Sequence, residues 1–241
     1  PGRQSAPVHL FLLPASVLDQ VFHDVCLQNL PVVFCIDRAG LVGEDGATHH
    51  GAFDIAYFGC IPNIVIASPL DELELRNMMY TASISGRPFV IRYPRGRGAG
   101  TEWRGAEFES MAIGRGRRLR EGSGVAVLTL GPVGNSAAKA VELAAAQGID
   151  AAHYDMRFAK PLDEELLHEI GRNFSRVITV EDGALRGGMG SAIRNFLADN
   201  GYDCTVVRLG IPDRFIEHGS VAELTAECGY DTRSILAAIE G

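Results

Sequence analysis

Residues 62–96 read PNIVIASPLDELELRNMMYTASISGRPFVIRYPRG. Two short apolar runs, NIVIA (63–67) and PFVIRY (88–93), bracket a longer segment of mixed polarity. The runs are continuous and rich in β-branched residues, as strands buried on both faces are. Between them SPLDELELRNMMYTAS (68–83) predicts a helix. Ser68 stands at the N-cap, Pro69 at the first helical position, and Asp71 completes a capping box; apolar residues recur at 70, 73, 75, 78 and 79. A third run, PVVFCI (31–36), precedes this unit. Strands alternating with helices imply a parallel sheet flanked by helices, the α/β class.

Downstream the character changes. Residues 97–122 are rich in glycine and arginine without sustained period, which predicts an interdomain linker. The pattern then restarts: strand VAVLTLG (125–131), an alanine-rich helix closed by Gly148, strand AAHYDM (151–156), helix DEELLHEIGRN, strand RVITVED (176–182), helix SAIRNFLADN closed by Gly201, and strand CTVVRLG (204–210). Two short helices follow, one from Ser220 with Glu223 in capping-box position and one from near Asp231. The expected architecture is two α/β domains, residues 1–96 and 123–241, each with a mostly parallel sheet.

Composition narrows the partners. The 241 residues are 46% hydrophobic and 22% charged, ordinary globular values. A net charge of -8 argues against nucleic acid or an anionic membrane surface, both of which need a basic face. No apolar run reaches the roughly 18 residues of a membrane span. Cys26, Cys35, Cys60, Cys204 and Cys228 are far apart, with no CxxC pair; they read as reduced, buried small hydrophobes in a cytoplasmic setting, with no metal site. The start, PGRQSAPVHL, lacks a methionine and a leader pattern and reads as a fragment or a processed chain.

Several segments carry chemistry-bearing residues. DGALRGGMGSAI, from Asp182, follows a strand and opens a helix, where backbone N–H groups cradle phosphate. It matches neither GxxxxGK(S/T) nor a complete GxGxxG, so a tight turn with close helix packing is the stronger reading. His23 with Asp24, and the isolated His153, His168 and His218, read as structural. In RYPRG (92–96), Arg92 alternates into the strand as an ion-pair partner, whereas Arg95 sits at the strand end where α/β sheets place ligands and suits a phosphate or carboxylate. DRAGLVGEDGATHHGAFDIAYFG (37–59) follows another strand end. There Asp45 can accept hydrogen bonds from substrate hydroxyls and His49 can donate to an oxygen or move a proton. The alternative is a polar surface turn before helix AFDIAYF, with Thr48 or Asp45 as a cap.

DRAGLVGEDGATHHGAFD, CIPNIVIASPLDELELRNMMYTA, RYPRG, DMRFAKPLDEE and VEDGALRGGMGS together resemble the 1-deoxy-D-xylulose-5-phosphate synthase family of the transketolase superfamily. The resemblance implies the later part of a pyrimidine-binding domain followed by a transketolase C-terminal-like domain. It implies decarboxylation of pyruvate and condensation with glyceraldehyde 3-phosphate at the head of isoprenoid synthesis, in a homodimer using thiamine diphosphate and Mg2+. By position, Arg38 and Arg95 match arginines that bind the acceptor phosphate, Asp45 and His49 match residues that contact substrate oxygens, and His50 has no such counterpart. The family's Gly-Asp-Gly diphosphate motif and its activating glutamate have no match here, so the chain alone is expected to hold neither cofactor nor metal, and no cofactor-binding residue is assigned. PVHLFLLPASVLDQ (7–20) departs from the family until Asp19, through a shifted reading frame or through divergence. Rival readings are another superfamily enzyme, such as a transketolase or a 2-oxoacid dehydrogenase β chain, or a non-catalytic dimerisation fragment.

Overall fold

A computed structural model describes residues 6–10 and 15–241 of the chain. Residues 1–5 and 11–14, inside the stretch that departs from the family resemblance, lie outside the described residues.

The first sheet contains β1 (Ala6–Leu10), β2 (Val32–Ile36), β3 (Val65–Ala67) and β4 (Phe89–Arg92). Helix α1 (Ala15–Gln20) runs into a π-helical turn, Val21–Cys26; α2 (Asp54–Gly59) and α3 (Glu72–Ile84) complete this half. β3 and β4 pair in parallel, with Val65, Ile66 and Ala67 opposite Phe89, Val90 and Ile91. All six residues are almost wholly buried, so each larger apolar side chain here contributes about 1.5–3 kcal/mol. The continuous apolar runs are therefore strands covered on both faces.

The helix between them begins later than its sequence suggests. Asp71, in extended conformation, is the cap and accepts from Glu74 N at 2.8 Å. The Glu74 carboxylate accepts from Leu70 N at 2.7 Å, and residues 68–71 stay outside the helix, which begins at Glu72. Ser68, expected at the cap, instead donates its hydroxyl to Arg92 O at 3.3 Å. Neither Thr48 nor Asp45 caps α2; its N-cap residue is Phe53, without a side-chain bond.

The second sheet comprises β5 (Arg117–Arg120), β6 (Val125–Leu130), β7 (Ala151–Asp155), β9 (Arg176–Ala184) and β10 (Thr205–Ile211), in order β10-β9-β6-β7-β5. Its strands are parallel except β5, which runs antiparallel to β7. Helices α4 (Val133–Ala146), α5 (Glu164–Asn173), α6 (Met189–Asp199), α7 (Val221–Glu227) and α8 (Thr232–Glu240) surround it. The Ser220–Glu223 capping box is present.

Two features revise the linker expectation. β5 lies inside residues 97–122, and the chain before it is strapped to α3: Gly100 N donates to Glu72 Oε1 (2.9 Å), Glu109 N to Asn77 Oδ1 (3.2 Å) and Met111 N to Thr81 Oγ1 (2.8 Å). Polar side chains of α3 thus satisfy backbone donors that a free linker would leave to water. Secondly, β8 (Phe158–Lys160), downstream of the second domain's first strands, pairs antiparallel with β3 and closes the first sheet, whose order is β1-β2-β4-β3-β8. One core cluster accordingly joins Phe34, Phe58 and Ile66 with Leu128, Tyr154 and Ile193. Cys60 is exposed, unlike the buried Cys26 and Cys35.

Candidate functional site

β2 and β4 are neighbours, and both end at the same edge of the sheet. Asp37 and Arg38 follow β2; Tyr93, Pro94 and Arg95 follow β4. Tyr93 N donates to Ile36 O (3.1 Å) and Ala39 N to Tyr93 O (3.0 Å), which zips the two strand exits together. Arg38 takes a left-handed backbone (φ 62°), steadied by its N–H on Asp37 Oδ1 at 2.8 Å. A non-glycine residue held there stores strain of about 1–3 kcal/mol, a mark of places where side-chain direction matters.

The consequence is a cluster of three expected site residues. Arg38 Nη1 and Arg95 Nη1 both donate to Asp45 Oδ2, each at 2.7 Å. The side chains are 28%, 49% and 36% exposed for Arg38, Arg95 and Asp45. Two guanidinium groups facing one carboxylate leave a net positive charge, and most of their N–H donors remain to grip a second anion. Exposed pairs of this kind stabilise a fold by only about 0–1 kcal/mol each, so an incoming dianion can compete for them. His49 lies on the same loop, half-buried, with Nδ1 bonded to Thr48 Oγ1 at 2.9 Å and its N–H on Gly46 O. It joins the cluster through the backbone, not by a direct bond among those described.

His50 turns inward. Its Nδ1 accepts from Val42 N at 3.1 Å, so Nε2 carries the proton and donates to Glu217 O at 3.3 Å. Arg92 forms the expected ion pair, with Nε on Asp54 Oδ2 at 2.8 Å, and its Nη2 also donates to Asp182 O at 2.7 Å. Asp182, near the end of β9, receives Leu41 N (3.1 Å) and the Tyr230 hydroxyl (2.6 Å) on Oδ1. Sequence reasoning missed Asp182 and Tyr230 as supports of the loop; an acid closing the predicted strand 176–182 was the available signal, and nothing in spacing links either to Leu41.

The glycine-rich turn is internally satisfied. Glu181 Oε2 and Oε1 accept from Met189 N (2.7 Å) and Gly190 N (2.8 Å), occupying the start of α6 where a phosphate would bind. A Cβ at Gly188 would stand 2.4 Å from Glu181 Oε2 and one at Gly190 2.3 Å from Thr179 Oγ1, so these glycines serve close packing. Burial raises the Glu181 pKa to about 7, against the pull of those two N–H donors. Among the described residues no group of three or more His, Cys, Asp or Glu is arranged to hold a metal. With Glu181 on its first N–H groups, the start of α6 does not fit a diphosphate.

Three other histidines have partners of their own: exposed His23 sits 3.4 Å from Asp19, His153 bonds Thr129 Oγ1 at 3.0 Å, and His168 bonds the Tyr202 hydroxyl at 2.8 Å, while His218 is exposed. A cleft of about 800 Å³ runs from Asp37, Tyr93 and Arg95 to Asn135 and Lys139; of the four expected site residues only Arg95 lines it. Among the described residues no helix is long and apolar enough to cross a membrane.

Comparison with known proteins agrees with this layout. The family described as transketolase, C-terminal domain, matches residues 114–235, and that described as transketolase, pyrimidine binding domain, matches residues 11–99. The chain is 59% identical over 219 residues to the 1-deoxy-D-xylulose-5-phosphate synthase of Parabacteroides distasonis and 56% identical over 219 residues to that of Bacteroides thetaiotaomicron, matches that cover 90% of this chain. It spans about a third (34%) of the length of these relatives. Among solved structures, a chain described as "Split gene transketolase, inactive beta4 tetramer" superposes with a TM-score of 0.81 at 29% identity, covering 94% of this chain and 71% of that one. With both domain families matched in order along two α/β units, the chain belongs to the transketolase family.

Proposed function

We propose that this chain supplies the acceptor-binding part of a 1-deoxy-D-xylulose-5-phosphate synthase, which condenses pyruvate with glyceraldehyde 3-phosphate. The observation that carries the reading is the Arg38–Asp45–Arg95 cluster at the ligand-bearing edge of a parallel sheet, in a chain 59% identical to such a synthase.

Arg38 and Arg95 grip the acceptor phosphate through the donors that Asp45 leaves open. Asp45 aims both guanidinium groups and accepts from a substrate hydroxyl. His49, its Nδ1 held by Thr48, presents Nε2 to the aldehyde oxygen, where a donor stabilises negative charge as it develops. Thiamine diphosphate with Mg2+, held by protein outside this chain, supplies the decarboxylating chemistry. The complete enzyme is proposed to be a cytoplasmic homodimer. A second reading draws on the split-gene neighbour: the chain works as a separate subunit beside a diphosphate-binding partner. Co-expression with and without covalent linkage to such a partner separates the two.

The test joins this chain to the N-terminal portion of the Parabacteroides distasonis relative. Arg95→Ala should raise the KM for glyceraldehyde 3-phosphate about 10- to 100-fold, the worth of one charge-assisted hydrogen bond. It should leave unphosphorylated glyceraldehyde almost unaffected. An unchanged acceptor KM would overturn the phosphate role.

A further inference from the structure

The exposed Arg–Asp bonds that define the candidate site are too weak to hold their own geometry. What holds it comes largely from the other domain, through the partly buried Asp182 and the buried Tyr230. The loop from Asp37 to Gly51 is fastened just before Asp45 and just after His49. On the near side, Asp182 Oδ1 takes the Leu41 N–H, and the same oxygen takes the Tyr230 hydroxyl. Gly40 lies so close that a Cβ there would stand 1.9 Å from Asp182 Oδ2. Arg92 ties Asp182 O to Asp54, so this fastening also reaches β4, the strand that leads to Arg95. Gly219 N also donates to Gly43 O on this side, at 3.5 Å, and on the far side His50 links Val42 N to Glu217 O.

Tyr230 is nearly inaccessible, at 1% exposure. Burial and the adjacent carboxylate push its hydroxyl far above the ordinary range, so it stays protonated and donates permanently. That O–H is one of two donors that orient the Asp182 carboxylate, which in turn sets where Leu41 and the following residues lie. Charge-assisted bonds inside a protein are the strong class, and binding groups displaced by a fraction of an ångström lose much of their effect.

We infer that Tyr230, acting through Asp182, is a positioning residue of the acceptor-phosphate site, so that the C-terminal domain sets the site's geometry although Arg38, Asp45 and Arg95 all precede it. This rests on the acceptor-binding reading above. It does not require the tyrosine to touch substrate.

The experiment uses the same joined enzyme. Tyr230→Phe removes one hydroxyl and no ring packing. Tyr202→Phe is its matched control, removing a hydroxyl bonded to His168 at 2.8 Å, away from the loop. Expected is a rise of about 5- to 20-fold in the KM for glyceraldehyde 3-phosphate in Tyr230→Phe, part of the worth of one charge-assisted bond. The pyruvate KM and kcat should stay within about twofold, and Tyr202→Phe should leave all three in place even where its Tm falls as far. An acceptor KM within twofold of the parent in Tyr230→Phe overturns the inference, as does an equal rise in Tyr202→Phe, which would mark mere loss of stability. Should Arg95→Ala raise the acceptor KM while Tyr230→Phe does not, the positioning role fails and the phosphate role stands. If neither moves it, both fail.

Discussion

Gly40 shows how narrow the tolerance is at single residues. Its φ of +76° belongs to the left-handed region, and Asp182 fills the space where a side chain would go. Gly40→Ala should cost at least about 2 kcal/mol of stability, combining backbone strain with the clash. Chemical denaturation would measure it, and a loss below 0.5 kcal/mol would show that the loop yields. Arg38, at φ 62°, is the complementary case. There a long side chain is kept in an awkward conformation, and the direction it gains is toward Asp45. Position just past a strand end pointed to Arg95 and left Asp45 and His49 open against a surface turn; the family resemblance added Arg38 and decided for the other two. Neither showed that Asp45 ties both arginines, since that depends on where a glycine-rich loop folds back.

At the scale of elements, β7 and the junction of β9 with α6 illustrate buried polar groups with definite partners. Burial lowers the His153 pKa to about 4 from its usual 6.5. The unfolded chain takes up a proton below pH 6.5 whereas the folded one resists it, so this residue erodes stability as pH falls from about 6.5 to about 4. His153→Gln, which can still bond Thr129 Oγ1, should flatten that acid limb; denaturation midpoints at pH 7 and pH 5 would show the smaller drop. Glu181 works in the opposite sense. Its pKa is raised to about 7 by burial, so ionising it costs the folded state as pH rises from about 4.5 to about 7. Yet it is the only described partner of Met189 N and Gly190 N. Glu181→Ala should therefore destabilise by about 2–4 kcal/mol, two orphaned buried donors at roughly 1–2 each. The glycine run was legible as a turn opening a helix; the carboxylate that fills it was not, because Glu181 lies on the preceding strand.

In the whole molecule the two halves meet at a buried knot of charge. Glu74 Oε1, from α3, takes Arg157 Nε at 2.8 Å and Arg117 Nη2 at 3.2 Å, while Asp155 Oδ2 takes Arg117 Nη2 at 3.2 Å. Burial, then the Glu74 charge, raises the Asp155 pKa to about 7, although Arg117 and Arg157 pull it down. The unfolded chain loses this proton near pH 3.8 and the folded one near 7. The resulting penalty is absent below about pH 4, grows through the interval and is complete above 7. Asp155→Asn should accordingly gain on the parent as pH rises from 4 to 7, read as the difference in denaturation midpoint; a constant difference would sink the assignment. The knot, β8 and the shared core join the two domains directly, beyond the linker that the sequence presents between them.

What the sequence determined by itself is local: apolar runs of strand length, helical spacing between them, the capping box at Ser220, and charged side chains just past strand ends. These follow from the periods of helix and strand, which operate over a few residues. Only the tertiary structure decided the edge that β8 occupies, the strapping of residues 100–111 to α3, and the fastening of the acceptor loop. Leu41 and Asp182 are 141 positions apart, and Asp182 and Tyr230 are 48 apart. Such pairs leave no periodic trace in the chain, because their meeting depends on how completed sheets and helices pack against one another.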